Sequence, residues 1–542
     1  MFFGSPPELS NGNAPATSYR YSPGLISLFE TNQYSMSFPQ SERYGVYLTF
    51  EHKLQGDQLV AYADVFHQRV NTRLEPFPLF TGPFQLMPFI NLAIPPHAAG
   101  PTLGGPALES TDLPPGAYNP FNPFQQIIGG SSQLRFVELG NEIFSDKTDA
   151  TLFTAGLKGE KLFGGSWGFD TAARYSEVTD HPKALHILSA SRFQRMLNAA
   201  DPFFDPTSPE FIGQTTPYNP FVDYRRAPAS NLRLLTLALV EPELPATSRV
   251  GTVDLSIYTT NLLDLPAGGV AFAFGAEGRH EEISWEPDST FRSGDALTAP
   301  VVNPVRSSRD SSAVYAEVAI PLFSAMQHIA GFHSLEITGA ARFENYFNND
   351  TNVLVPKVGL RWQPFDDTLT LRATWGEGFR EPSGLELFSP PFPTVEFTRE
   401  VPFTPVLLVA SPNLQPEDSR NFTAGVVYTP KFLPGLTTSV DLFNIERSGV
   451  VILPSAQEVL DREAAGQLLP GEVVVRDAQG NLLRVDIPYE NGGVQKARGL
   501  DASLSYQLQT SVGTFTWRTE ATFLDSFKKS AAAGSPQLEL RS

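Results

Sequence analysis

The chain has 542 residues, a formal net charge of −19 and no cysteine. The charge excludes a nucleic-acid partner, whose phosphates need basic patches, and the missing cysteine excludes a disulfide framework, a thiolate metal site and a Cys nucleophile. No run approaches the ~18 consecutive apolar residues of a membrane-spanning helix, which excludes a helical membrane protein.

Residues 1–43 read as a loop-like segment, and Met1-Phe2-Phe3-Gly4-Ser5 lacks the basic, apolar and cleavage regions of a secretory signal. Residues 44–524 then alternate strands with connections. The predicted strands are 44–52, 57–69, 149–160, 166–177, 247–260, 269–283, 313–323, 334–346, 354–363, 367–376, 420–429, 436–446, 497–508 and 513–524. In the clearest, Leu500, Ala502, Leu504, Tyr506 and Leu508 point one way, and Asp501, Ser503, Ser505, Gln507 and Gln509 the other. Most run ~10 residues or more, the length a tilted strand needs to cross hydrocarbon. Residues 525–542 read as a tail.

Connection lengths follow a parity. Links after odd-numbered strands are short, such as Lys53 to Gly56 and Gln509 to Val512, whereas those after even-numbered strands are long, apart from Phe347 to Val353. An outer-membrane barrel keeps tight turns at its periplasmic end and large loops outside, and a soluble sandwich has no reason to. Trp167, Trp285, Trp362 and Trp375 fall near predicted strand ends, with Trp517 a few residues in, as interfacial rings do.

Within the long loops, Pro and aromatic residues crowd together in Tyr118-Asn119-Pro120-Phe121-Asn122-Pro123-Phe124, Asp201-Pro202-Phe203-Phe204-Asp205-Pro206 and Tyr218-Asn219-Pro220-Phe221. Proline and Asn-Pro steps make such loops compact, so loop-on-loop packing is expected over a ligand cavity. A short helix is predicted at 191–199, where Phe193, Met196 and Leu197 share a face.

No catalytic, metal or cofactor site is predicted. Gly164-Gly165-Ser166-Trp167-Gly168 matches a nucleophile-elbow pattern as text, yet lies between two strands where that mechanism needs a strand-to-helix turn. His280-Glu281-Glu282 continues a strand, with Ser at position 284 where a zincin would carry His.

From Val270 onward the sequence resembles the TonB-dependent outer-membrane receptors. Gly376-Glu377-Gly378-Phe379-Arg380-Glu381-Pro382-Ser383 to Glu386-Leu387-Phe388 resembles that family's Gly-Phe-Arg-Ala-Pro-Ser…Glu-Leu-Phe signature, with Glu381 in place of Ala. Ser411-Pro412-Asn413-Leu414-Gln415-Pro416-Glu417 resembles its Asn-Pro-Asn-Leu-Lys-Pro-Glu signature, and Ala497-Arg498-Gly499-Leu500-Asp501 a strand start. The resemblance implies an all-β transmembrane antiparallel barrel, partial here, with fourteen strands of about 22. It further implies location in the outer membrane of a Gram-negative bacterium and uptake of a nutrient ligand such as an iron-siderophore, cobalamin or carbohydrate. The lipid bilayer and the TonB complex would be its partners, the latter through a plug domain absent from this chain. Alternatives are a passive channel and loop-mediated adhesion. Of the motif residues, Phe379, Arg380, Pro382, Pro412, Asn413, Leu414, Pro416 and Glu417 are expected to fix how a loop leaves the barrel rim, and no residue is assigned to ligand.

Overall fold

The computed structural model describes residues 2–3, 20–21, 33–36, 38–56, 58–80, 92–100, 113–122, 124–125, 127–129, 134–163, 165–221, 229–297, 301–347, 351–401, 404–477, 480–530 and 538–540. Fourteen long strands form one antiparallel sheet in chain order: β1 (Gln40–Lys53), β2 (Val60–Leu74), β3 (Ile143–Leu162), β4 (Trp167–Asp180), β5 (Ala246–Thr259), β6 (Ala271–Trp285), β7 (Val305–Phe323), β8 (Ser334–Tyr346), β9 (Thr351–Gln363), β10 (Leu369–Arg380), β11 (Glu417–Tyr428), β12 (Leu436–Ser448), β13 (Gln495–Thr510) and β14 (Gly513–Lys529). Among the described residues the sheet does not close: β1 is one side, and at the other the short strand Leu538–Glu539 pairs with the last two residues of β14.

Register turns sequence alternation into two unlike faces. Ile320, Ile337, Leu360, Ala373, Ala424, Leu442, Leu500 and Phe523 are consecutive cross-strand partners, an apolar row over eight strands. One residue further along each strand, Glu336, Arg361, Arg372, Gly425, Asp441, Asp501 and Thr522 form the matching row on the other face. Among the described residues nothing covers the apolar face: Phe50 is 58 % exposed, Leu442 55 % and Phe523 51 %. Apolar area of that extent in contact with water would be strongly unfavourable, at about 25 cal/mol per Å², so this is the lipid-facing side.

The polar face is tightly fitted. Arg372 spans Gly425 to grip Asp441 with two hydrogen bonds of 2.8 and 2.6 Å, and a methyl group at Gly425 would overlap the Asp441 carboxylate. The Tyr62 ring lies over Gly156 in the same way and its hydroxyl donates to Asp170 at 2.7 Å.

Several strands run past their predicted bounds, by at most two residues at the short-turn end, as β3 to Leu162 and β13 to Thr510, and by more at the long-loop end. β3 starts at Ile143 and β7 at Val305, six and eight residues earlier than alternation predicts, and β10 ends at Arg380. Alternation marks only the part of a strand with one apolar face; the hydrogen-bond ladder continues where both faces are polar. Trp375 therefore lies inside β10, not at its end.

Above that end stand two lobes. The first is built from the connections after β2, β4 and β6, around a core including Leu79, Phe136, Phe193, Tyr218, Leu234 and Leu297. It contains helices α1 (Ala190–Met196) and α2 (Ala229–Ala238). The second is built from the connections after β10 and β12, around Val406, Val459, Leu460, Val485 and Ile487. It contains α3 (Gly384–Phe388), α4 (Ala456–Ala465) and a four-stranded sheet ordered Phe392–Glu396, Thr404–Val409, Leu482–Pro488, Val473–Arg476.

Candidate functional site

The two sequence motifs meet where the second lobe joins the wall. β10 and β11 pair up to Arg380 opposite Glu417. Just past Arg380, Ser383 caps α3: its hydroxyl accepts the Glu386 N–H, and the Glu386 carboxylate accepts the Ser383 N–H at 2.7 Å. This reciprocal capping box fixes Glu386 facing back toward the strand. Arg380 then donates to both Glu386 oxygens at 2.9 and 3.0 Å and to Glu417 at 2.5 Å.

Glu417, with a side chain only 3 % exposed, also accepts from the Arg447 guanidinium and from the Val451 N–H at 2.8 Å. One carboxylate thus ties both connections of the second lobe to the rim. Burial raises the Glu386 carboxyl, but Arg380 and the Ser383 donors outweigh it and hold it below the usual carboxylate range. Such a buried network costs several kcal/mol if one partner is removed, because the remaining charge is left without a counter-ion.

The other motif residues surround this latch. Phe379 packs edge-to-face on Tyr346 at 6.2 Å, and the Pro382 carbonyl accepts from Arg309 at 3.0 Å. Pro412 and Asn413 form an exposed turn, Leu414 is buried, and Pro416 precedes the first residue of β11. Glu386 and Arg447, which complete the latch, had no assigned role in the sequence reading. The Ser383-x-x-Glu386 spacing was the available signal for the first; Arg447 has no sequence signal, since it reaches Glu417 only through the pairing of β12 with β11.

The Pro-aromatic segments lie in the first lobe. In each, the Asx side chain accepts the N–H two residues on: Phe121 to Asn119, Phe124 to Asn122, Phe203 to Asp201 and Phe221 to Asn219, all at 2.9–3.0 Å. The Asn119 amide also bridges loops, donating to the Leu197 and Tyr218 carbonyls at 2.9 and 3.1 Å. Phe193 stacks edge-on against Phe136 and Tyr218 at 5.1 and 5.2 Å. These rings pack loop on loop.

On the polar face of the wall, a concavity of about 490 Å³ lies over β5 to β9, lined by Tyr258, Ala271, Ala273, Thr338, Glu317 and Lys357. Its small side chains leave room against the wall. Ser166 sits in the turn between β3 and β4, and Gly164 beside it lies outside the described residues. His280 pairs with Asp310 at 2.7 Å across β6 and β7.

A meandering wall with one lipid-facing side, one polar side and elaborated loops at a single end defines an outer-membrane-type β-barrel. The chain belongs to the TonB-dependent receptor family: residues 100–539 match the family model described as TonB dependent receptor-like, beta-barrel. No curated protein matches. Among solved structures, the siderophore receptor PirA from Pseudomonas aeruginosa is 12 % identical over 91 % of this chain and 69 % of its own, with a TM-score of 0.37. The RagAB peptide importer in its closed-closed state is 11 % identical over 92 % of this chain and 50 % of its own, with a TM-score of 0.46. The FpvAI–pyocin S2 complex is 10 % identical over 90 % and 53 %, with a TM-score of 0.45. The chain spans about half to two thirds of their lengths. The family is one of outer-membrane receptors and not a class of enzyme.

Proposed function

We propose that this chain is wall and loop region of a receptor that takes up a scarce nutrient across the outer membrane, with the long-loop end facing outside and the TonB complex supplying the energy through a plug domain. The membership of the chain in the TonB-dependent receptor family carries this reading. The two lobes offer the outer surface on which a ligand would first land, and the Arg380–Glu386–Glu417–Arg447 latch holds the second lobe to the rim. On this reading the motif residues are structural, because their polar groups are spent on one another and on the backbone. Ligand choice then belongs to the lobes.

The test is uptake in the host. Cells carrying the full gene, its deletion, and a deletion of tonB are offered iron-siderophores, cobalamin and carbohydrates in turn. One ligand class should be lost in both deletions. Uptake that needs this gene but survives without tonB would favour a passive channel, and cell contact changing with no loss of uptake would favour adhesion.

A further inference from the structure

Charges on the polar face of the wall are largely satisfied by one another. Arg174 pairs with Asp254, Arg279 with Glu277 at 2.8 Å, Arg309 with Glu281 at 2.5 Å, Arg342 with Glu344 at 2.9 Å and Arg372 with Asp441 at 2.6 Å. Four side chains of the same face stand outside this pairing. Glu317 of β7, Glu336 of β8, and Lys357 and Arg361 of β9 form no hydrogen bond or ion pair among the described residues.

Register gathers these four around one trough. Ala271, Ala319, Thr338, Gly359 and Thr374 are consecutive cross-strand partners, a row of small residues from β6 to β10. The next row toward the long loops holds Glu317, Ala340 and Lys357, and the next toward the short turns holds Glu336 and Arg361. The two charged rows lie four residues apart along the strands, about 13 Å. Glu317 and Lys357 are the two charged residues lining the concavity of about 490 Å³.

The signs are sorted: both carboxylates lie on β7 and β8, and both cations on β9. Sheet stabilisation would set a carboxylate directly opposite an ammonium. Instead Ala340 separates Glu317 from Lys357, and Glu336 stands opposite Arg361 without pairing to it.

We infer that this trough is a binding site for a small zwitterion, an amino acid or short peptide, with its ammonium on Glu317 and its carboxylate on Lys357. These two residues are two strand spacings apart, about 10 Å, which an extended peptide of about three residues spans. The alanines leave room for its backbone, and the Thr338 hydroxyl can donate to or accept from its peptide groups. Glu336 and Arg361 continue the same polarity toward the short turns. The trough lies in the short-turn half of the wall, so it is a station passed after the lobes have taken the ligand. This inference rests on the receptor reading and names a substrate class for it.

The test uses the full chain, folded in a non-ionic detergent, with trialanine, N-acetyl-trialanine and trialanine amide titrated in turn and followed by ligand-observed NMR. Trialanine should bind best, and blocking either end should weaken binding by about fivefold, the worth of one exposed ion pair. E317K and K357E should each bind trialanine at least as weakly as the native protein binds a blocked probe. E317K/K357E should regain it, because a zwitterion can lie in the trough either way round. Equal binding of the three probes by the native protein overturns the inference whether or not the variants fold. So does a double variant that is folded, by heat-modifiable gel mobility, yet binds no better than the singles. Absence of binding by every probe overturns it too, and a fall in folded full-length receptor for E317K would then give these charges to the plug domain. The two readings fail separately. Discrimination among the probes, with host uptake that survives deletion of tonB, removes the energised-receptor reading and leaves the site, whereas tonB-dependent uptake without discrimination removes only this inference.

Discussion

The two lobes reach order by different means. The first has an apolar core with seventeen buried members among the described residues and is stitched by Asn side chains to backbone, as where the Asn231 amide accepts the Asn219 N–H at 3.1 Å and donates to the Asn219 carbonyl at 2.9 Å. The second has seven buried members and is framed by ion pairs. Arg476 holds Glu400 at 2.5 Å and Glu463 at 2.7 Å, Arg399 holds Asp461 at 2.5 Å, and Arg462 holds Glu472. Core packing is short-ranged and insensitive to salt, whereas partly exposed ion pairs are screened and pH-dependent. A loop can therefore be made rigid either way, and the choice sets which conditions loosen it.

The sharpest way to break this contrast is Phe193→Ala. Deleting the ring between Phe136 and Tyr218 should cost the first lobe about 3–5 kcal/mol and open it to protease, with the second lobe unaffected. Opening of both lobes together would show a single cooperative unit. Arg380→Ala comes next: Glu417 loses a charge partner in a buried site, at about 2–3 kcal/mol given that Arg380 itself is partly exposed. It should lower folded receptor, read by heat-modifiable gel mobility, at least as much as it lowers ligand binding per folded molecule. Normal folding with lost binding would move Arg380 into the ligand site.

The effect confined to one pH range concerns Glu142, at the base of the first lobe, where burial pushes its carboxyl from the ordinary 4.5 up to about 7. A raised value means the folded state binds the proton more tightly, so its contribution is present below pH 4.5 and is lost as pH rises to about 7. Glu142→Gln should accordingly match the parent at low pH and gain up to about 3 kcal/mol above neutrality, followed by hydrogen exchange of the lobe. For Glu386 at the latch the sign is opposite: its lowered carboxyl stabilises above the usual carboxylate value and releases as pH falls through its folded value. A Glu142→Gln variant equally unchanged at both pH extremes would show that the first lobe does not bury this charge.

The wall was legible because its signal is local. All fourteen strands and their order follow from period-two alternation plus connection parity, and α1 from the spacing of Phe193, Met196 and Leu197. The upper ends of β3 and β7 were missed because Asp146 and Lys147 on one strand and Arg306 and Arg309 on the other put charged residues on both faces there, erasing the alternation. The Asn-Pro-Phe elements were visible as turns, but the long-range bridges of Asn119 were not. The second lobe went unread: its small sheet pairs Thr404–Val409 in parallel with Leu482–Pro488, more than seventy residues away, and locally only the capping boxes Ser383-x-x-Glu386 of α3 and Ser455-x-x-Glu458 of α4 announce the lobe.

Topology is the claim on which everything else stands, and the absence of native cysteine makes it directly measurable. Single cysteines at Ala98, Ser208, Gln467 and Pro434 in the full-length receptor are exposed on intact cells to a thiol reagent that does not cross the outer membrane. Labelling at Ala98, Ser208 and Gln467, with Pro434 labelled only after the cells are broken, is the predicted result. Labelling at Pro434 with protection of the other three would invert the wall and contradict the account.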